Sequence, residues 1–497
     1  MLALLLSLAL ALAFGALFES CLRSARDVHP LERVGRALTF GLGGLGMLSM
    51  LADVLGLGVN RLSVGGLTLA AAVGLLAWRR RAGADDSEPA PRQLQDGASH
   101  AGWRALSPQA RAAAIGLFAL AGIALFLQVR SGLIRPTYQF DALVRWMFKA
   151  KVLATDHTLF GAFSYEEAFG FTHQRYPPLV AHIANLPALL SGHFDDYIAS
   201  AMFPFFALAL VCLAGGALAR HAGLLSGALV AAWIANLPLI AFVDNPPPGS
   251  GSWSAMADIP LALFVCAAGL SLIDLFRSPR GRAAWGVAAC LALAALTKNE
   301  GLPLLAGASV ALFLGQRSAS PGARLKLCAQ VVGVAVLVFV ALWGHRIPGI
   351  PAYDENYYAQ VGLEPLQAGV ERLGLILMGT ELQGFRMPGL LPELVSFRSW
   401  NLTWPLIAVL LLLGGKRSLS RVPRALLLLL AVQLAAYVGA YMVTAWESPN
   451  ARALVGPGGD PLAFLLNLTL GRLLLHLAPL AICVSLLVSP LRASRSG

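Results

Sequence analysis

The first group of residues that could take part in a reaction begins at Asp141. This aspartate lies in a segment that contains both apolar and charged residues. Arg145 and Lys149 follow at intervals of four residues, so a helix would carry all three on one face. A carboxylate beside cations can take a proton from an attacking hydroxyl group. The same pattern also fits an ordinary interfacial helix with an Asp141–Arg145 ion pair, and the sequence leaves both interpretations open.

Two further segments combine polar groups with prolines. His173, Arg175 and Tyr176 precede a short apolar stretch, and histidine and arginine there can bind a phosphate group. The alternative is a polar loop anchored by an interfacial tyrosine. Asp258 opens another apolar segment, with Pro260 two residues later. It is either a functional carboxylate or an acidic residue favoured at a helix N-terminus.

Charged residues within or between apolar segments are costly in lipid and are therefore candidates for function. Lys298 and Glu300 lie in a tight connection between two apolar segments, where they can also simply pair with each other. Arg472 and His476 lie inside the last apolar segment, one helical turn apart. Arg472 has the alternative of extending its side chain to the membrane interface.

The candidate residues of these segments include both carboxylates and cations. A carboxylate can activate an acceptor hydroxyl, and cations can stabilise the negative charge that grows on a departing phosphate. A nucleotide-binding P-loop, a dinucleotide fingerprint and a G-x-S-x-G motif are all lacking at plausible places. The pattern favours transfer from a phosphate-linked donor over ATP-driven pumping or serine hydrolysis.

The elements that must position these residues are apolar helices. Of the 497 residues, 57% are hydrophobic and only 13% are charged, about half the charged share of a soluble domain. We therefore expect an all-α polytopic membrane protein with about thirteen transmembrane helices. The predicted spans are 1–19, 37–58, 63–78, 111–129, 196–218, 222–242, 258–276, 283–297, 301–315, 327–344, 402–414, 424–443 and 468–489.

The basic loops indicate an orientation. With these spans, all six basic loops fall on the same side of the membrane, which is the pattern of cytoplasmic loops and not of nucleic-acid binding. We expect the N-terminus outside, the C-terminus in the cytoplasm, and a multi-pass location in the inner (plasma) membrane. The loops are 20–36, 79–110, 277–282, 316–326, 416–424 and the C-terminal tail.

The chain divides into three predicted regions. These are an N-terminal three-helix unit at 1–78, a polar cytoplasmic linker at 79–110 and a transmembrane catalytic region at 111–497. The first large outer loop, 130–195, contains amphipathic stretches that predict interfacial helices. The six cysteines form no C-x-x-C or Cys/His cluster, so neither a disulfide framework nor a zinc site is indicated.

Several short motifs now add up to a family resemblance over about 110–480. In order and outward placement they resemble the GT-C superfamily of polytopic glycosyltransferases. Within it, they are nearer the bacterial family 39/83-like members related to protein mannosyltransferases and the aminoarabinose transferase. The motifs are an aspartate followed by W-x-x-K-A (Asp141, Trp146, Lys149, Ala150), R-Y-P-P-L (Arg175 to Leu179), A-D-I-P-L (Ala257 to Leu261), T-K-N-E-G (Thr297 to Gly301) and R-L-L-L-H-L-A-P (Arg472 to Pro479).

The resemblance implies inverting transfer of a sugar from a polyprenyl-phosphate donor to a glycan, lipid or protein acceptor on the extracytoplasmic face. It makes Asp141 the catalytic base and Asp258 a second acidic residue of the catalytic site, which helps to organise it. The remaining expected roles are donor-phosphate binding by Lys298, Arg472, His476 and Arg175, and substrate binding by Lys149, His173, Tyr176 and Glu300.

Metal use varies across this superfamily. Phe140 and Ala142 flank Asp141 where some relatives have two adjacent acids. Without a second carboxylate beside Asp141, we expect no cofactor and a metal-independent mechanism, and a divalent metal remains the alternative. The expected partners are the lipid-linked donor, its acceptor and membrane lipids, without nucleic acid.

Two other functions remain open. A transporter or flippase for lipid-linked or small polar substrates would also explain many spans and buried charges, and it predicts polar residues across the membrane depth. A non-catalytic subunit of an envelope-assembly complex would not need Asp141, Asp258 and Lys298 to meet. The polar residues gather at the outer face in this sequence, which favours an enzyme.

Overall fold

A computed structural model of the chain shows an almost entirely helical protein, as predicted. Isolated positions 103, 137, 367 and 370 are described as well as ten longer stretches. The structure describes residues 1–22, 28–85, 106–135, 139–241, 254–277, 281–315, 319–351, 372–382, 385–443 and 461–489. Most of the predicted linker 79–110 and of the outer loop 444–467 therefore lies outside the described residues.

Every predicted span contains a helix. Within the described residues, nine helices are long and apolar enough to cross a membrane, and the other four are shorter, so the structure does not confirm thirteen crossings. The helices are α1 (Leu2–Leu22), α2 (Pro30–Val54), α3 (Arg61–Asp85), α4 (Pro108–Ile134), α5 (Pro204–Ala222), α6 (Leu224–Ala235), α7 (Asp258–Arg277), α8 (Gly281–Thr297), α9 (Pro303–Gly315), α10 (Pro321–Phe339), α11 (Thr403–Gly414), α12 (Arg421–Val443) and α13 (Pro461–Val488). The shorter ones are α6, α8, α9 and α11.

Short elements fill the loops between these helices. The loop after α4 is built from helical turns, in agreement with the prediction for 130–195. Its turns are Ala142–Met147, Phe148–Asp156, Ala162–Tyr165, Glu167–Thr172, Leu179–Ala184, Leu186–Ser191 and Asp196–Ser200. Later short elements are Pro238–Ala241, Asn299–Gly301, Val340–Gly344, Ile347–Gly349, Leu373–Met378, Leu390–Leu394, Phe397–Trp400, Gly415–Arg417 and one antiparallel hairpin, Gly379–Leu382 with Phe385–Pro388.

The N-terminal helices pack directly onto the rest of the bundle. At Gly15, an added Cβ would lie 1.8 Å from the Ala37 carbonyl oxygen, and at Gly41 the same distance from that of Ala11. Glycine therefore lets α1 and α2 approach backbone to backbone, as small residues do between membrane helices. On its other side, α2 packs against α5, where an added Cβ at Gly216 would lie 2.2 Å from the backbone of Glu32.

Helices α7 and α13 form the centre of the bundle. In each, 94% of the most apolar stretch is buried, against 6% in α3. A central helix has protein on all sides, so its charged residues must find partners within the protein. The two acidic residues of α7, Asp258 and Asp274, stand 16 positions apart in the sequence, which is about 24 Å along a helix.

Asp274 joins a buried ion network at one end of the bundle. Arg220 Nη1 donates to Asp274 Oδ1 at 2.9 Å, and Arg220 Nε donates to Glu32 Oε2 at 2.7 Å. Arg36 pairs with both carboxylates, and its Nε lies 2.9 Å from Glu32 Oε1. This network ties together α2, α5 and α7. The sequence pattern predicted the distinctive polar residues at the other face and gave no indication of this network.

The end of the bundle that contains Asp274 also contains the ends of two helices that adjoin predicted basic loops. The Arg421 side chain at the start of α12 donates to the Gly315 carbonyl at the end of α9. Its guanidinium lies 5.9 Å from the Phe276 ring, two residues after Asp274. The basic loops 316–326 and 416–424 therefore begin at one end of the bundle, which agrees with their predicted common side. Which side faces the cytoplasm stays a prediction.

Candidate functional site

Asp141 lies at the start of a wide helical turn. It immediately precedes the π-helical turn Ala142–Met147, which continues into the helix Phe148–Asp156. Single π-helical turns often occur at functional sites because they shift side chains out of regular register. This turn directs Asp141 towards α13, and Asp141 and Arg472 meet although they are 331 residues apart in the sequence.

Arg472 bridges two predicted catalytic carboxylates. Its Nη1 donates to Asp141 Oδ2 at 2.6 Å, and its Nε donates to Asp258 Oδ2 at 2.9 Å. These are short, charge-assisted hydrogen bonds, and each is about twice as strong as a neutral one. The bridge brings the loop after α4, the first residue of α7 and the middle of α13 to one place.

The second oxygen of Asp258 is also fully engaged. Lys298 Nζ and His476 Nε2 each lie 3.0 Å from Asp258 Oδ1. The Asp258 side chain is 1% exposed, so these partners supply the compensation that a buried carboxylate requires. Lys298 follows the end of α8 and His476 lies one turn after Arg472. The network thus joins three helices around one carboxylate.

Glu300 forms the partly open edge of this network. Lys298 Nζ lies 2.8 Å from Glu300 Oε1, and the Glu300 side chain is 23% exposed. Pairing of Lys298 with Glu300 was the predicted alternative to a functional role. This ion pair is present, together with the contact between Lys298 and Asp258. Lys298 therefore connects the two carboxylates instead of serving only Glu300.

Two residues of α12 complete the network and were missed from the sequence. Gln433 Nε2 donates to the Glu300 carbonyl and to the Tyr437 hydroxyl, both at 2.7 Å. The Tyr437 hydroxyl lies 3.1 Å from His476 Nδ1. A signal existed, since Gln433 and Tyr437 are polar residues one turn apart in an apolar span. Through these hydrogen bonds, Gln433 and Tyr437 fix the backbone at Glu300 and the imidazole ring of His476.

Arg145 links Asp141 to the next part of the loop. Its Nη2 lies 2.6 Å from His173 Nε2 and 3.5 Å from Asp141 Oδ1. Its guanidinium also lies 5.5 Å from the centre of the Tyr176 ring, within the range of a cation–π contact. The predicted Asp141–Arg145 pair is therefore present, and His173 and Tyr176 lie beside it.

Two predicted cations have other positions. Lys149 is 1% exposed, and its Nζ donates to the carbonyls of His173 at 2.9 Å and Tyr176 at 3.2 Å. Lys149 thus fixes the loop beside the site. Arg175 Nε donates to the Ile350 carbonyl at 2.7 Å. The structure therefore brings eight of the ten predicted residues into one network of contacts, whereas Lys149 fixes the loop beside it and Arg175 is directed elsewhere.

The charges around Asp141 determine its protonation. Burial alone would raise the pKa of Asp141, but the Arg472 and Arg145 guanidinium groups outweigh burial and lower this pKa to about 2. The carboxylate is therefore ionised at neutral pH and weakly basic while Arg472 holds it. Its side chain remains 17% exposed, so a ligand entering from outside would reach Asp141 before Asp258.

Glu393 is a further acidic residue that the sequence analysis missed. Its Oε1 accepts a hydrogen bond from Trp400 Nε1 at 3.2 Å and would lie 3.0 Å from a Cβ added at Gly471, beside Arg472. Burial raises the pKa of Glu393. Nothing in its sequence context, L-L-P-E-L, distinguishes it from an ordinary loop residue.

The described residues contain no arrangement of side chains that forms a metal-binding site. No group of three or more His, Cys, Asp or Glu side chains within them is arranged to hold an ion. The carboxylates of the site instead have arginine, lysine and histidine partners. Metal independence itself stays a prediction.

Comparison with known proteins gives no match to a family model, to a curated protein or to a solved structure. The chemistry of the site therefore has to be argued from its own geometry. Two carboxylates of different exposure share an arginine, and a lysine and a histidine support the deeper one. Such a site can hold an anion on Arg472 and Lys298 and can present Asp141 to a hydroxyl group.

Proposed function

We propose that the protein is a membrane glycosyltransferase that moves a sugar from a polyprenyl-phosphate donor to an acceptor on the extracytoplasmic face. The observation that carries this proposal is the double bridge of Arg472 to Asp141 and Asp258. It places a cation that can receive a phosphate directly beside Asp141, which is more exposed than Asp258. The proposal includes the inner membrane as location and the orientation with an outer N-terminus.

The resting pairs suggest how donor binding prepares the reaction. A phosphate that binds Arg472 and Lys298 competes with the carboxylates for the same donor groups. As Arg472 turns to the phosphate, Asp141 loses its strongest cationic partner and becomes more basic. The base thus forms when the donor is present, and the lipid chain of the donor lies among the helices.

The chemical step is a single displacement. The acceptor hydroxyl oxygen attacks the anomeric carbon and forms the new glycosidic bond, while its proton passes to Asp141. The bond from the anomeric carbon to the phosphate oxygen breaks, and its electron pair leaves with the lipid phosphate. Lys298 and Arg472 stabilise the negative charge on that phosphate. Attack opposite the leaving group inverts the anomeric centre.

The test uses the full chain in lipid nanodiscs with farnesyl phosphate and a panel of farnesyl-phosphate-linked hexoses and pentoses, each offered with a glycan, a lipid and a peptide as hydroxyl acceptors. We expect wild type to bind farnesyl phosphate and to convert the phosphodiester to a monoester, followed by ³¹P NMR. Asp141→Asn should bind the probe and lose turnover by about 10²–10⁴-fold, the usual range for a missing general base.

Asp156→Asn is the matched control, because Asp156 is exposed in the same outer loop and should tolerate the change. Near-normal turnover in Asp141→Asn would remove Asp141 from the mechanism. Failure of wild type to bind farnesyl phosphate would overturn the proposed donor class.

A transporter or flippase is the second candidate, and one observation favours it. The Glu32–Arg36–Arg220–Asp274 network lies at the opposite end of α7 from Asp258. A transporter exposes its site to each side of the membrane in turn, and charged groups at both ends of one central helix would offer a polar substrate contacts on both sides. A transporter would move a fluorescent lipid phosphate across the bilayer without cleaving it, whereas the transferase cleaves the donor on one side.

A further inference from the structure

The two oxygens of the Asp141 carboxylate have unequal partners. Oδ2 accepts a hydrogen bond from Arg472 Nη1 at 2.6 Å, whereas Arg145 Nη2 lies 3.5 Å from Oδ1. A separation of 3.5 Å is beyond a good N–H···O hydrogen bond. Arg145 is therefore close to Oδ1 but forms no good hydrogen bond with it.

His173 explains why Arg145 does not close this gap. Arg145 Nη2 lies 2.6 Å from His173 Nε2. A guanidinium group can only donate, so Nε2 of the ring is the acceptor in this contact. The same Nη2 that could bind Asp141 Oδ1 is thus drawn to an imidazole.

The position of His173 is itself fixed by several contacts. Its backbone has φ of 51°, a left-handed conformation that a non-glycine residue adopts at a cost of about 1 kcal/mol. Its carbonyl accepts a hydrogen bond from the buried Lys149 ammonium at 2.9 Å. Its ring meets the edge of the Tyr176 ring, with centroids 5.7 Å apart. These contacts hold the imidazole against the Arg145 guanidinium group.

We propose that His173 is a positioning residue that restrains Arg145 and so keeps this second guanidinium group away from Asp141 Oδ1 when Arg472 turns to the phosphate. This inference rests on the proposed function, because it explains how the proposed base becomes basic. It also gives Lys149 a role, which is to fix the loop that carries the restraint. Without the imidazole, Arg145 would move onto Oδ1 and keep the carboxylate weakly basic after Arg472 has left it.

The experiment compares turnover of farnesyl-phosphate-linked sugars in a set of His173 and Arg145 variants of the full chain. His173→Leu should lower kcat about tenfold, since a new charge-assisted hydrogen bond to Asp141 lowers its basicity. KM for the donor should change little. His173→Gln offers a carbonyl acceptor to Arg145 and should keep at least half of the wild-type kcat.

The decisive comparison measures the effect of His173→Leu on kcat in a chain that also carries Arg145→Gln. There the competing guanidinium is absent, so His173→Leu should cause no further loss of kcat. A merely structural role of His173 would instead lower kcat equally in both backgrounds, and that result would overturn the inference. Loss of kcat in a folded His173→Gln would overturn it as well, even if His173→Leu gives no folded protein.

The same data separate this inference from the proposed function. His193→Leu serves as a control, because His193 is an exposed histidine of the same loop. If Asp141→Asn is inactive and His173→Leu is fully active, only the role of His173 is wrong. If Asp141→Asn is active, the proposed base is wrong and the inference falls with it.

Discussion

Replacing Arg472 by methionine tests the geometry on which the proposed site depends. Methionine keeps the length and much of the volume of the arginine chain but removes both charge-assisted hydrogen bonds. Asp258 would keep Lys298 and His476, and Asp141 would keep only the 3.5 Å contact with Arg145. The variant therefore leaves one buried carboxylate partly compensated and one more exposed carboxylate poorly compensated.

The size of the effect follows from these remaining partners. Breaking a buried ion pair by removing one partner costs about 3–5 kcal/mol. The lower half of this range applies, because Asp258 retains two donors and the Asp141 side chain is 17% exposed. We expect a loss of about 3 kcal/mol in the free energy of unfolding and loss of farnesyl phosphate binding.

A double-mutant cycle measures the bridge directly. Arg472→Met, Asp141→Asn and the combined variant are unfolded reversibly with SDS in mixed micelles, and the coupling free energy should be about 2 kcal/mol. Arg130→Met is the control, since Arg130 is exposed near the C-terminal end of α4. A coupling near zero, with Arg472→Met as stable as the control, would show that the bridge does not exist.

The pH dependence of this coupling has a fixed sign. The pKa of Asp141 is about 2 in the folded chain, below the value of about 3.9 for an unfolded aspartate. The stabilisation is therefore fully present above pH of about 4 and is lost as the pH falls through 2. The cycle should give the same coupling at pH 7 and pH 5.

Two further changes test features away from the bridge. Burial raises the pKa of Glu393, so ionisation of this side chain destabilises the folded protein as the pH rises. Glu393→Gln should therefore raise the melting temperature more at pH 8 than at pH 5. An equal rise at both pH values would contradict this prediction. Gly15→Ala places a methyl group 1.8 Å from the Ala37 carbonyl oxygen and should cost about 1–3 kcal/mol by overpacking. Gly65→Ala meets open space and should cost less than about 0.5 kcal/mol, so equal effects in melting experiments would argue against close α1–α2 packing.

Hydropathy predicted where the apolar helices lie but not how many of them cross the membrane. The helices α6, α8, α9 and α11 were all predicted as spans, yet they have only 12 to 17 residues. A short helix can end inside the membrane thickness only where protein satisfies its free backbone groups. That condition depends on neighbours distant in sequence, which the apolar pattern of a segment does not contain.

The site was predictable to the extent that charge in an apolar setting is costly. That cost identified Asp258, Lys298 and Arg472 before any geometry was known. It could not show that one arginine serves two carboxylates, because the choice of partners is made in three dimensions. For the same reason Arg145 was seen only as a partner of Asp141, and its contact with His173, 28 residues further on, was not foreseen.

The interior of α7 helps to decide between an enzyme and a transporter. Both Asp258 and Asp274 have arginine partners, so charge alone does not distinguish the two ends of the helix. Between them, however, α7 is buried and apolar except for Ser271. A polar substrate passing from one end to the other would lose its hydration along about 24 Å of this helix without polar contacts to replace it. The arrangement along α7 therefore fits a substrate that is bound and released at one end, while the Asp274 network holds α2, α5 and α7 together at the other.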